Sequence, residues 1–138
     1  MSGNDDLQAL GNAKLEALVE VMFLAASADG DFSVVERAHF LKSVESLTDG
    51  RIATARLQTL VDEAGTALDR EGREARLASV KERLPDAGAR RVALSLAIQV
   101  TVADGIIRTS ERELILEAAE ALEIDRGEAA DLVKRLSR

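Results

Sequence analysis

The sequence has little of the material from which redox, metal and nucleic-acid sites are most often built. Its 138 residues include no Cys and one His. The absence of Cys excludes disulfides, thiolate metal sites and cysteine nucleophiles, and a single His excludes a multi-histidine metal site. There are three Phe and no Trp or Tyr, which leaves few rings for stacking single-stranded bases.

The chain also has no net positive charge and no long hydrophobic run. The net charge is −7, whereas a nucleic-acid surface needs clustered positive charge; cations and basic partners remain compatible with it. The most apolar run, ALVEVMFLAASA, has 12 residues and contains Glu20, but a bilayer span needs about 20. The acidic N-terminus lacks the positive region of a signal peptide. We therefore expect a cytoplasmic protein that neither spans a membrane nor binds nucleic acid.

The residues that are abundant favour helices. Ala, Leu, Glu and Arg are good helix formers, and only one Pro interrupts them. Apolar periodicity and turn residues predict seven helices and no strand. They are predicted over about 7–28, 33–47, 52–68, 71–84, 90–103, 110–123 and 126–136. The chain length suits one core, so we expect an all-α, single-domain seven-helix bundle over 1–138.

One short pattern occurs twice. ADGDFSVVER begins at Ala28 and ADGIIRTSER at Ala103, and both read Ala-Asp-Gly, five variable residues and Glu-Arg, 75 residues apart. The same offset aligns an apolar segment before each motif and an amphipathic one after it. This predicts a pseudo-twofold helix–turn–helix repeat over about 7–47 and 87–123, with 48–86 between them and the two apolar helices packed side by side.

Each copy of the motif also has the residues that end one helix and begin the next. Gly permits the left-handed conformation that closes a helix, and an acidic residue in the first turn favours the next one. In the first copy, Ser33 and Glu36 are spaced as a capping box. In the second copy Arg108 replaces the serine, and the predicted box begins at Ser110. Glu111 is then left without the local role that explains Glu36, which favours a binding role for it.

The functional interpretation of the motif is a site for a hard divalent cation. Carboxylate oxygens suit Ca²⁺, Mg²⁺ or Mn²⁺, and no other cofactor is predicted. The predicted ligands are Asp29, Asp31, Glu36, Asp104 and Glu111, with Glu113 as a further candidate. The spacing excludes an EF-hand, which needs Gly at the sixth position and Glu at the twelfth. The alternative remains that the acidic residues only cap helices and that no metal binds.

No catalytic motif is present. Neither GxGxxG nor GxxxxGK[ST] occurs, so the sequence has no nucleotide-binding glycine loop of these kinds. A glycosidase-like carboxylate pair would need an aromatic-lined sugar cleft. A Ser-His-Asp triad around His39, the single histidine, could be drawn only by free choice among many Ser and Asp. We therefore expect a protein that is not an enzyme.

The segments FLAASADGDFSVVERAHFL and IQVTVADGIIRTSERELILEAAEALEI resemble the TerB-like family, the tellurite-resistance helical domain that also occurs beside J-domains in some membrane-anchored co-chaperones. The resemblance extends from about Leu15 to the C-terminus. It implies a seven-helix bundle with internal pseudo-symmetry and a role in resistance to tellurite and other stresses. It also implies metal sensing or chelation by acidic residues, without an established enzymatic activity.

By position, the resemblance places Asp29 and Glu36 in the first family motif and Asp104 and Glu111 in the second. Arg108 departs from the small or acidic residue expected there, which favours one asymmetric site, or none, over two equal ones. We expect a stress-response domain that binds a divalent cation, an unidentified protein partner, or both. The alternative is a purely structural protein–protein interaction module, and the oligomeric state is open.

Overall fold

The computed structural model describes residues 3–28, 30, 32–102 and 108–136, with side chains from Ala13 onward. This part of the chain contains helices and no strand, which confirms the all-helical prediction. The helices are α1 (Gly3–Ala26), α2 (Val34–Leu47), α3 (Thr54–Glu71), α4 (Arg73–Arg83), α5 (Ala87–Thr101), α6 (Thr109–Ala121) and α7 (Arg126–Leu136). Each lies within a few residues of its predicted position. Among these residues no helix is both long and apolar enough to cross a bilayer.

The core is built around α1 and α5, which form the most extensive helix–helix contact of the bundle. Every residue from Ala17 to Ala25 is buried, and α5 buries most of its length from Ala93 to Thr101. Burial on nearly all sides is expected of helices without a polar face. The deep burial predicted for both helices is confirmed. The pseudo-twofold relation between 7–47 and 87–123 stays a prediction, as does the assignment of 1–138 to one domain.

A buried carboxylate in α1 joins it to α4. Glu20 is only 5% exposed. It accepts hydrogen bonds from Arg76 Nε at 2.6 Å and Arg76 Nη2 at 2.9 Å, and a further one from Arg83. Burial raises the pKa of the Glu20 carboxyl, but these hydrogen bonds and the two positive charges outweigh it and leave the pKa below its ordinary value of 4.5. The charge is paired, as a buried charge must be, and together with the buried Leu77 and Val80 it attaches α4 to the core.

A third arginine, Arg90, joins the ends of α4 and α6. Arg90 Nε donates to the carbonyl oxygen of Leu84 at 2.6 Å, and Arg90 Nη1 donates to that of Leu122 at 3.5 Å and to Glu123 at 3.4 Å. Carbonyl groups at helix C-termini lack partners within the helix and attract cations. Arg90 therefore holds the C-terminal end of α6 beside α4 and α5.

Candidate functional site at the starts of α2 and α6

The first motif begins α2 with a complete capping box. The Ser33 hydroxyl oxygen accepts a hydrogen bond from the Glu36 backbone N–H at 3.1 Å, and the Glu36 carboxylate accepts one from the Ser33 backbone N–H at 3.1 Å. Two helix-start donors are thus paired by two side chains, as predicted. Before the box, Gly30 has a φ of +82°, in the left-handed region where glycine is tolerated.

The second motif begins α6 with half of the same arrangement. The helix starts at Thr109, and the Glu111 carboxylate accepts a hydrogen bond from the Arg108 backbone N–H at 2.8 Å. The predictions that the box begins at Ser110 and that Glu111 lacks a local role are therefore wrong. Both predictions failed for the same reason. The hydrogen bond to the Glu111 carboxylate needs only a backbone N–H at the cap, which any residue except Pro supplies. The other half needs a side-chain acceptor, and a guanidinium has none.

The two motif glutamates line one cleft. Its volume is about 260 Å³. It is lined by Ala26, Phe32, Glu36, His39, Phe40, Ser43, Val100, Thr101, Arg108 and Glu111. Glu36 is half-buried and Glu111 is 9% exposed. Two carboxylates 75 residues apart in the sequence therefore face the same small space, together with Arg108 and the single histidine.

Two of the residues that line the cleft, Phe32 and Phe40, belong to an aromatic cluster. Phe23, Phe32 and Phe40, which are all the phenylalanines of the chain, pack edge to face with ring centroids 5.4, 5.8 and 6.2 Å apart. Edge-to-face contacts at this separation are favourable, and they fix α2 and the residue before its cap against α1. The sequence analysis did not identify this cluster. The sequence did contain a signal for this cluster, because all of its aromatic residues lie in or close to the first motif.

The predicted metal ligands fall into two groups. Asp29, Asp31 and Asp104 lie outside the described residues. Glu36 and Glu111 lie at the cleft, whereas the further candidate, Glu113, is exposed and is not among the residues that line it. In the part of the chain that the structure describes, no three carboxylate or histidine side chains are grouped so that they could hold a metal ion. The predicted ligand set as a whole stays a prediction.

His39 is a cleft residue to which the sequence analysis assigned no functional role. It lies three residues after Glu36 on α2 and lines the cleft beside it. Positions three apart share a face of a helix, so this spacing was the available signal. The neutral imidazole both donates and accepts hydrogen bonds, which adds a versatile polar group to the two carboxylates.

The described residues form a small all-helical fold in which the glutamates of the two motif copies, Glu36 and Glu111, line one cleft. The chain matches the family model described as "Tellurite resistance protein TerB" over residues 16–134. It belongs to the TerB family, which confirms the resemblance found in its motifs. No curated protein and no solved structure gives a significant match.

Proposed function

We propose that this TerB-family protein is a non-enzymatic binding domain that takes a divalent cation at the cleft between the starts of α2 and α6. The observation that supports the proposal is that Glu36 and Glu111, the motif glutamates of the two copies, line the same cleft. The rings of Phe32 and Phe40 in the lining lower the local dielectric constant, which strengthens the attraction between a cation and nearby carboxylates. We place its action in the cytoplasm, in resistance to tellurite or a related stress.

The proposed ligands are the two glutamates together with Asp29, Asp31 and Asp104 from the segments that precede α2 and α6. Ca²⁺ takes six to eight oxygen ligands and Mg²⁺ six, so two glutamates do not suffice without the aspartates and water. A carboxylate has about four acceptor positions, so capping a helix does not exhaust its capacity. Arg108 lines the cleft on the α6 side, and its charge favours one asymmetric site nearer the first motif.

The test is calorimetric titration with Ca²⁺, Mg²⁺ and Mn²⁺ at near-physiological salt. Glutamine at the third helical position can still accept the capping hydrogen bond, so Glu36→Gln with Glu111→Gln removes charge while keeping both helix starts. We expect this pair to weaken cation binding at least about tenfold, equivalent to 1.4 kcal/mol. We expect Asp29→Asn with Asp104→Asn to abolish it.

Two controls separate ligand loss from structural damage. Ser33→Ala breaks the capping box but keeps every carboxylate, and Asp131→Asn removes an exposed carboxylate of α7. Both should bind cations as the wild type does. If the wild type binds none of the three ions, or if the glutamine and asparagine variants bind them normally, the cation proposal is wrong.

The second candidate function is an interaction module without a metal. Two observations favour it: both motif glutamates already cap helices, and α2 exposes two adjacent valines. Val34 is 85% and Val35 is 67% exposed. These two side chains supply exposed apolar surface that contact with another protein would remove from water. The titration above discriminates between the candidates, because the second predicts no cation-dependent heat in any variant.

A further inference from the structure

Helix α4 has a residue at each end that interrupts helical structure. Gly72 is the single residue between α3 and α4. Its φ of +88° and ψ of 161° lie in a region that glycine alone adopts readily. At the other end, Leu84 follows α4 and precedes Pro85, which cannot continue a helix. The segment Arg73–Arg83 is therefore a separate rigid unit, because neither of its links continues as a helix.

The apolar contact between α4 and the core is small. Leu77 and Val80 are its buried residues, whereas α1 is buried at every position from Ala17 to Ala25. A helix that buries few apolar side chains opens more readily than the core around it. Polar interactions therefore supply a large part of the attachment of α4.

Every basic side chain of α4 forms an ion pair with a carboxylate outside the helix. The pairs that join α4 to α1 and to the α6 side of the bundle are Arg73–Glu117, Arg76–Glu20, Lys81–Glu123 and Arg83–Glu20. Arg76 also pairs with Glu71. Because Glu71 adjoins Gly72, this last pair does not fix α4 to another part of the core.

Glu20 is the strongest of these anchors. The side chains in the Arg73 and Lys81 pairs are all at least 38% exposed, and solvent-exposed pairs contribute little to stability. The side chain of Glu20 is only 6% exposed, and it holds two arginines of α4 at once. The attachment of α4 to α1 therefore depends mainly on the charge of one carboxylate.

Other charged groups face the same space. A hollow of about 190 Å³ beside the network is lined by five charged side chains, which are Glu16, Glu20, Glu63, Arg76 and Arg83. Glu16 pairs with Arg56 at 3.0 Å. Among the ion pairs of the described residues, neither Glu16 nor Glu63 binds an arginine of α4. The side chain of Arg83 is 32% exposed, so protons from solvent can reach the network.

Protonation of Glu20 would remove the charge that two guanidinium groups share. Burial raises the pKa of Glu20, but the hydrogen bonds and charges of Arg76 and Arg83 outweigh it and leave the pKa below 4.5. The attachment is therefore complete above the ordinary pKa and is lost as the pH falls through the lowered one. Leaving a largely buried charge without its partner is among the most destabilising single changes in a protein.

We propose that α4 is an acid-released segment. When Glu20 is protonated, Arg73–Arg83 leaves α1 as one unit while the other helices keep their packing. Gly72 is the pivot at one end. At the other end, Arg90 still donates to the carbonyl oxygen of Leu84 at 2.6 Å and keeps that link attached to α5. The proposal does not rest on a cation or on the cleft between the starts of α2 and α6.

The test is the distance between α4 and α7, measured by double electron–electron resonance between two spin labels. The chain has no Cys, so Ala78→Cys with Ala130→Cys places the labels only at exposed sites on α4 and α7. Ala38→Cys with Ala130→Cys, at exposed sites on α2 and α7, is the reference pair. From about pH 7 to about pH 3.5 we expect the first distance distribution to broaden and lengthen. The reference distribution should stay unchanged.

Two variants identify the responsible carboxylate. Glu20→Gln imitates the protonated carboxyl group, so it should give the broadened α4–α7 distribution at neutral pH and change little in acid. Glu117→Gln is the matched control, because it removes a carboxylate from the exposed pair with Arg73. It should keep α4 attached at neutral pH and release it in acid, as the wild type does. Circular dichroism shows whether each variant is folded.

Hydrogen exchange of the unlabelled wild type is a second measurement that needs no substitution. After correction for the intrinsic exchange rate, the amides of Leu77–Arg83 should lose at least about tenfold more protection in acid than those of α1 and α5. This result decides the proposal even if Glu20→Gln does not fold.

Several outcomes would overturn the proposal. If both label pairs change together, or all helices lose protection together, the acid transition is global unfolding. If α4 stays attached in acid, or stays attached in folded Glu20→Gln, the charge of Glu20 does not hold it. If Glu117→Gln releases α4 at neutral pH as fully as Glu20→Gln does, the exposed pairs are the anchors instead.

Discussion

The starts of α2 and α6 carry the same motif but are stabilised differently. At α2 a serine and a glutamate pair two backbone donors reciprocally, whereas at α6 Arg108 stands at the cap and only Glu111 accepts from the backbone. Glu111 is nevertheless the more buried glutamate. Capping explains why a glutamate occurs at the start of each helix. It does not explain why the two glutamates line one cleft.

The core helices that precede the two motifs, α1 and α5, also differ. An offset of 75 residues aligns Glu20 in α1 with Ser95 in α5. Glu20 is buried and joined to Arg76 and Arg83 of α4, whereas Ser95 is half-buried. The two aligned positions therefore differ, since α1 carries a buried charge network there and α5 carries a half-buried serine.

The largest expected effect is the loss of the charge network of the first copy. Glu20→Ala leaves Arg76 and Arg83 without their shared carboxylate, and removing one partner of a buried pair costs several kcal/mol. Because the side chain of Arg83 is 32% exposed and can turn to water, we expect about 2–3 kcal/mol. The matched Ser95→Ala should cost less than about 1 kcal/mol. Urea unfolding measures both, and equal losses would contradict the asymmetry.

The contribution of the Glu20 network to the free energy of unfolding should depend on pH. The pKa of Glu20 is lower in the folded protein than its ordinary value of 4.5. Its stabilising contribution is therefore fully present above the unfolded-state pKa and is lost as the pH falls through the folded-state pKa. The difference in free energy of unfolding between wild type and Glu20→Gln should be constant near pH 7 and shrink below about pH 4. A difference that persists unchanged at pH 3 would show that packing, not charge, is responsible.

The helices were predictable because their signals are local. Apolar periodicity located α1 and α5, and the spacing of Ser33 and Glu36 located the start of α2. The cap of α6 was predicted two residues too late, at Ser110 instead of Arg108, because the bond from the Arg108 backbone N–H to Glu111 does not depend on the side chain at the cap. Capping analysis by residue type detects only the half of the box that needs a serine.

The Glu20 ion-pair network and the cleft were less predictable than the helices, because both depend on contacts between residues that are distant in the sequence. Arg76 and Arg83 are 56 and 63 residues from Glu20, and no local pattern pairs them. The meeting of Glu36 and Glu111 likewise depends on how α2 and α6 pack around the core. The repeated motif identified these glutamates as candidates, but their position in one cleft follows only from the fold.

A smaller effect is expected from exchanging the caps. Ser33→Ala should destabilise the protein by about 1 kcal/mol, the usual value of a serine cap. Arg108→Ser supplies the acceptor missing at α6, and Arg108→Ala removes the same guanidinium without supplying it. The serine variant should therefore be more stable than the alanine variant by about 1 kcal/mol. Thermal and urea unfolding check this, and no difference would mean that the start of α6 cannot accept a complete box.

The smallest expected effect is the loss of one charge near each helix start. It distinguishes capping from cation binding. In EDTA, Glu36→Gln and Glu111→Gln keep the acceptor oxygens that cap both helices and lose only a charge near each helix start, which is worth about 0.5 kcal/mol. At a cation concentration ten times the dissociation constant, a bound ion stabilises the wild type by about 1.4 kcal/mol. The variants should gain less because they bind the ion more weakly. If the variants gain as much as the wild type, the glutamates are caps alone, and the cation does not bind at their shared cleft.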